Sequence, residues 1–266
     1  AGVHTGKSLV MCSMAADNLS SGRNVLYITL EMSEEETTKR IDANLLDIDI
    51  NRLKNTTKEK FLTKVHNIQT KNNGRLVTKQ FPTGAAHVGH FRALLNELAL
   101  KKNFVPDIIY VDYINICASS RLNASNSSDS YNYVKSIAQE MRGFAIENNV
   151  PVVTATQVNR SGYGASDVDM TNVSESFGLP AIADFMIALL TSEQLKALNQ
   201  IQVKQLKNRF GSMDHFNRFV MGVDVMKMRF YDLEEDAQDL ADAGDTTLNT
   251  EKVGIEEPIR KELNFD

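Results

Sequence analysis

The sequence predicts an α/β protein, a mostly parallel twisted sheet with helices on both faces and an antiparallel C-terminal edge. Three observations lead there. Short apolar runs rich in Val, Ile and Tyr alternate with helix-length amphipathic stretches, the pattern of strands joined by crossover helices. Two of these runs end in a carboxylate, as happens where parallel strands present their carboxyl ends to a ligand. The last three strand-like runs, VKQLKNRF, RFVMGVDV and MKMRFYDL, follow one another too closely for helices between them, so they are read as antiparallel.

Taken in order, KSLVMCSMAADNL is expected to be a helix packed on both sides and NVLYITLEM a buried strand. SEEETTKRIDANLL begins with Ser33 as N-cap and Glu36 three residues on, a capping-box spacing. RLVTKQF is read as a strand ending at Pro82–Thr83–Gly84. FRALLNEL is read as a helix with Phe91, Leu94, Leu95 and Leu98 on one face. DIIYVDYINICA is a strand, and the Ser/Asn-rich stretch 119–130 an exposed loop. A helix follows with Val134, Ile137, Ala138, Met141 and Phe144 in register. Then come the strand PVVTATQ, a polar loop to about Gly178 and the strand DFMIALL. Met11, Met14 and Met141 are read as core filler.

The net charge of −5 hides a division. Residues 232–266 hold 12 acidic side chains against 3 basic ones, which leaves 26 basic against 22 acidic in the body, net +4. The two units expected are therefore a body, 1–231, and an acidic, mostly disordered tail, 232–266. Cys12 and Cys117 make no disulfide framework and point to a reducing compartment. No apolar run approaches the roughly 18 residues that span a bilayer, so no membrane association is expected. His87 and His90, three apart with no third ligand nearby, are not read as a metal site.

The chemistry is concentrated at the start of the chain. AGVHTGKS fits the second half of a phosphate-binding loop, with Gly6, Lys7 and Ser8 followed at once by a helix. Such a loop lets backbone N–H groups approach phosphate oxygens, places a lysine charge on the β/γ-phosphates and offers a hydroxyl to Mg²⁺. Gly2, Val3, His4 and Thr5 complete it, and Ala1 stands where the first glycine belongs. Asp112, after IIYV, is a candidate for holding the metal shell. Glu31, after the strand that follows the loop helix, is a candidate general base. Gln157 ends VVTATQ, where an amide can contact a γ-phosphate. Lys207 and Arg209 lie two apart near a strand end, where cations can reach a nucleotide on a neighbouring subunit. Taken singly, Gln157 and the Lys207/Arg209 pair are as well explained as a polar strand end and a solvated turn.

Together, AGVHTGKS, NVLYITLEMSEEETTKRIDANLLD, VTKQFPTGAA, LLNELALKKNFVP, IIYVDYINIC, ATQV, ESFGLPAIADFM and VKQLKNRFG resemble, in order, the DnaB-type replicative helicases, RecA-like P-loop motors, and most closely their T-even phage branch. That branch is similar in carrying alanine at the first loop position. The resemblance implies a homo-hexamer that hydrolyses ATP or GTP with Mg²⁺ while threading single-stranded DNA. It implies phosphate and Mg²⁺ binding by Lys7 and Ser8, water activation by Glu31, Mg²⁺ binding by Asp112 and coupling by Gln157. Arg209, with Lys207 beside it, is implied as an arginine finger. Arg121 and Arg160 fall in the two stretches that match the DNA-gripping loops. The resemblance further implies a primase and a helicase loader as partners, and the cytoplasm of an infected bacterium as the setting. A strand normally precedes a P-loop, so the chain is expected to be a fragment that starts at the loop and lacks its first strand. Two other readings fit the residues alone, a RecA-like recombinase and a non-catalytic nucleotide-binding module for ring assembly.

Overall fold

The computed structural model describes residues 6–71, 74–122, 130–157, 178–213, 217–234 and 238. The element order is α1 (Lys7–Ser20), β1 (Val25–Thr29), α2 (Glu34–Leu45), α3 (Lys58–Lys71), β2 (Leu76–Gln80), α4 (Val88–Lys102), β3 (Ile108–Asp112) and α5 (Ser130–Glu147), then β4 (Val152–Thr154), α6 (Gly178–Ile182), β5 (Phe185–Leu190), α7 (Glu193–Ala197), β6 (Gln200–Asn208), β7 (Arg218–Asp224) and β8 (Arg229–Asp232). Short 3₁₀ turns cover Leu53–Asn55 and Ile114–Ile116.

The strands form two four-stranded sheets rather than one. The first is parallel, in the order β2-β1-β3-β4, and the second antiparallel, in the order β5-β6-β7-β8. The expected antiparallel edge is thus a sheet of its own, and DFMIALL (β5) belongs to it. β1 is buried along its whole length, and its side chains alternate between two cores, as a pleated strand covered on both faces must. Leu26 and Ile28 join the cluster under α4 and α5, together with Phe91, Ile109, Val111, Ile137 and Phe144. Val25 and Tyr27 join Met11, Cys12, Ala15 and Ile41 under α1 and α2. Ala188 and Leu190 of β5 and Leu206 of β6 enter the first cluster, so one core runs beneath both sheets. Val10 of α1 packs on Leu189, Ile201 and Val203 of the second sheet.

The residues expected to be buried on the α4 and α5 faces are buried, with one difference among the methionines. Met14 is 36% exposed, whereas Met11 and Met141 are core. The inner face of α1 runs 11, 12, 15, 16 and 19, and position 14 falls off it. Ser33 caps α2 by accepting from the Glu36 N–H at 3.1 Å. α4 starts with a capping box made of histidines: His87 Nδ1 accepts from Gly89 N–H, and His90 Nδ1 accepts from His87 N–H. Gly222 lies opposite Tyr231, and a Cβ there would collide with the tyrosine ring. Within the expected tail, Asp232 ends β8, and the Gln238 side chain bonds both the N–H and the C=O of Val220. Residues 239–266 lie outside the described part. Among the described residues no helix is long and apolar enough to cross a membrane.

Candidate active site

Helix α1 begins at Lys7, directly after Gly6 at φ +82°, a left-handed conformation in which glycine is unstrained. Nothing stands within 4 Å of where a Cβ on Gly6 would be, so the backbone here is open to a ligand. The first-turn N–H groups of a 14-residue helix point that way, a ready anion site. Lys7 is half-buried. Loss of solvation lowers its pKa from 10.5, while the nearby charges of Glu31 and Asp112 act to raise it. That opposition places three of the anticipated groups within electrostatic reach of one another. Ser8 follows in the first turn. Gly2, Val3, His4 and Thr5 lie outside the described residues.

The strand register explains the convergence. β1 and β3 pair in parallel with Thr29 opposite Asp112, and Leu30 N–H donates to the Asp112 carbonyl at 2.9 Å. Glu31 therefore emerges just beyond the strand end at which Asp112 sits. The Thr29 hydroxyl shapes the turn that carries Glu31, donating to Met32 C=O at 2.9 Å and accepting from Met32 N–H at 3.1 Å. Thr83 ties the same turn to the end of β2 by donating to Leu30 C=O at 2.6 Å. Glu31 itself is exposed.

Asp112 is fully buried. Its Oδ2 accepts from Tyr27 OH at 3.1 Å, and Tyr27 OH accepts in turn from the Cys12 thiol at 3.8 Å. Burial pushes the Cys12 thiol up to about 12, which makes it inert packing. Among the described residues Asp112 Oδ1 has no hydrogen-bond partner. A buried carboxylate oxygen left open is costly unless a cation or water completes it. One carboxylate, one serine hydroxyl and the oxygens of a bound phosphate suit Mg²⁺, which keeps several waters and takes few protein ligands. Among the described residues no group of three or more His, Cys, Asp or Glu could hold a metal ion.

Gln157 is brought to the same place. Its Nε2 donates to Tyr113 OH at 3.1 Å, and Ile114 N–H donates to the Ala155 carbonyl, tying the segments after β3 and β4 together. The peptide between Asp112 and Tyr113 is cis. Tyr113 links the parts: burial, then the charges of Glu31 and Asp112, raise its pKa above 10.0. Sequence reading passed over Tyr113, Tyr27 and Thr29. Their signal was only position, next to a strand-end carboxylate or two residues before a strand end.

Lys207 and Arg209 stand apart from this group, near the end of β6. Arg209 bonds Asp184 Oδ1 at 2.7 Å and the Ala181 carbonyl at 3.2 Å. Arg142 of α5 bonds the same Asp184 oxygen at 2.8 Å, and Lys207 Nζ bonds the Pro180 carbonyl. Hydrogen bonding from Arg142, then the charges of Arg142, Arg209 and Lys207, hold the Asp184 carboxyl below 3.8. Arg121 is exposed beyond the 3₁₀ turn after β3. Arg160 lies outside the described residues.

The fold and the relatives agree. Two solved structures superpose on 88% of the chain with a TM-score of 0.69. One is a DnaB-like replicative helicase determined with its interactions with primase, 18% identical, of which 56% is covered. The other is an isolated ATPase domain, 17% identical, of which 82% is covered. In sequence, the chain is 46% identical over 240 residues to the DnaB-like replicative helicase of Enterobacteria phage T4, a match that covers 89% of this chain and 50% of that protein. It is 27% identical over 204 residues to a probable plasmid replicative DNA helicase of Chlamydia psittaci, covering 73% and 42%. The chain thus spans about half the length of these relatives or less. The DnaB-like helicase C-terminal domain family matches residues 1–230, the whole span from the loop glycines to the last strand, and the chain belongs to that family.

Proposed function

We propose that this chain is the motor domain of a replicative DNA helicase, which hydrolyses a nucleoside triphosphate and moves along single-stranded DNA as a homo-hexamer. One observation supports the reading: Lys7, at the N-terminus of α1, lies within electrostatic reach of Glu31 and Asp112 at the carboxyl ends of adjacent parallel strands. In this reading Lys7 and the α1 amides hold the phosphates of ATP or GTP. Ser8 and Asp112 Oδ1 hold Mg²⁺, which supplies charge neutralisation to the phosphates when bound. Glu31 accepts a proton from the water that attacks the γ-phosphorus, and the nucleoside diphosphate leaves. Gln157, bonded to Tyr113, transmits the state of the γ-phosphate to the segment after β4.

Lys207 and Arg209 are directed at the nucleotide of the adjoining subunit, which makes turnover depend on assembly. Arg121 and Arg160 grip the DNA backbone. A primase and a loader are the partners, and the cytoplasm of an infected bacterium is the setting. The 1–231 body is the motor.

The test is single-strand-stimulated hydrolysis and fork unwinding by the full-length protein and its variants. Lys7→Ala is expected to abolish both activities. Glu31→Gln is expected to retain nucleotide and lower turnover by about 10²–10⁴. Turnover that survives Glu31→Gln, or hydrolysis without strand separation, would refute the reading.

A further inference from the structure

Glu140 of α5 is used by none of these steps, yet its carboxylate is 4% exposed and no cation is bonded to it among the described residues. Burying a carboxylate without such a partner costs several kcal/mol unless hydrogen bonds replace the lost water. Here they do. Ser119 Oγ donates to Oε1 at 2.5 Å, and Ser136 Oγ lies 3.2 Å from the same oxygen. Ser120 donates twice to Oε2, from its N–H at 2.8 Å and its hydroxyl at 2.6 Å. Desolvation acts to raise the Glu140 pKa, but these bonds outweigh it and lower it below 4.5. The group is therefore a fixed anion that clamps two successive residues of the segment leaving β3.

The clamp reaches two residues further. Ser119 Oγ, with its proton committed to Glu140, accepts from the N–H groups of Arg121 at 3.1 Å and Leu122 at 3.0 Å. Ser119 N–H donates to Tyr133 OH, a second tie to α5. Arg121 is thereby held at the rim of an open cleft of about 350 Å³, whose other wall is Asn132, Lys135, Ser136 and Gln139. Those four residues recur at helical spacing along one face of α5. One cation from the segment and one from the helix thus line the same polar cleft. That suits an extended polyanion tracked by its backbone rather than read by its bases.

We propose that Glu140 is a positioning residue of the nucleic-acid interface. Through Ser119 it sets Arg121 opposite Lys135, so that α5 shares the phosphate backbone of single-stranded DNA with the segment after β3. The proposal rests on the reading that Arg121 meets DNA.

The experiment is binding of fluorescent oligo-dT to the full-length protein with a non-hydrolysable nucleotide, over a salt series, together with unstimulated hydrolysis and thermal midpoint. Glu140→Gln and the milder Ser119→Ala are each expected to weaken binding about five- to tenfold with unstimulated hydrolysis unchanged. Lys135→Ala is expected to reduce the slope of log affinity against log salt by about 1. In an Arg121→Ala background, Glu140→Gln and Ser119→Ala should add nothing further. If Arg121→Ala weakens binding and the other two changes act additively with it, or not at all, the positioning role is wrong while the DNA reading stands. If Arg121→Ala itself leaves binding intact, both are wrong. A fall in thermal midpoint with unchanged DNA affinity would make Glu140 a purely structural residue and overturn the proposal.

Discussion

Asp184 shows how magnitudes bear on a proposed role. Arg209 spends both arms of its guanidinium inside its own chain, on Asp184 and on Ala181 C=O. To serve a neighbour's nucleotide it must exchange these partners. The pair with Asp184 is more than a third exposed on each side, and exposed pairs contribute about 0–1 kcal/mol. The tether is thus cheap to break. Asp184→Asn is expected to change turnover by less than about fivefold, whereas Arg209→Ala lowers it by about 10³ or more. Steady-state hydrolysis with DNA present checks both, and an Asp184→Asn defect as deep as that of Arg209→Ala would contradict an exchangeable contact. At this scale the sequence was legible where a charged group ends an apolar run. Asp112 and Glu31 were found that way, whereas Gln157, an uncharged strand end, took its role from the family resemblance. Tyr113, Tyr27, Asp184 and Glu140 were not found, because their roles depend on partners 25 to 85 positions away or on a hydroxyl whose bonds no local pattern encodes.

Among the elements, α2 and α4 each carry a titratable group whose environment sets a pH dependence. Burial raises Asp42 on α2 to about 6 from 3.8. The folded state therefore prefers the protonated acid. The favourable contribution is complete below pH 3.8 and is lost as pH rises through about 6. Asp42→Asn should stabilise the protein by about 1–3 kcal/mol at pH 8 and by nothing at pH 4, measured by denaturant unfolding. His87 runs the other way. Desolvation and the neighbouring His90 lower its pKa, against the pull of Glu140, and both rings accept backbone N–H bonds through Nδ1. A lowered base favours the fold above its unfolded value of 6.5, and that benefit drains as pH falls below 6.5 toward the folded value. His87→Asn, which keeps an N-cap acceptor, should flatten the thermal midpoint between pH 7 and the acid limb. The histidine box was invisible in sequence because Ser, Thr, Asp and Asn are the residues that signal a cap. α3 escaped notice because its stretch, KEKFLTKVHNIQTK, is mostly polar and presents few apolar side chains, with Leu62 itself 52% exposed. The β1 and β3 assignments were recoverable because both are short continuous apolar runs, and those of α4 and α5 because their apolar positions recur at a period of 3.6.

At the level of the whole molecule, the sequence predicted one sheet with an antiparallel edge, and the structure has two. β4 ends the first and β5 begins the second. Ala188, Leu189 and Leu190 of β5 are buried although, among the described residues, β6 is the strand's one ladder partner. Topology of this kind is hard to read from one sequence, since ladder partners are chosen by strands far apart.

The shared core beneath unconnected ladders has a mechanical consequence. Side-chain packing and scattered polar ties, such as Asn44 to Met228 C=O and Ile50 N–H to Met226 C=O, knit the two halves, and such contacts yield to small displacements more readily than a continuous run of amide bonds does. Backbone protons along β4 and β5 should therefore trade with solvent sooner than those of β1 and β3. The soft line runs beside the strand that leads to Gln157, so whatever stiffens it is registered first at the catalytic end of the molecule.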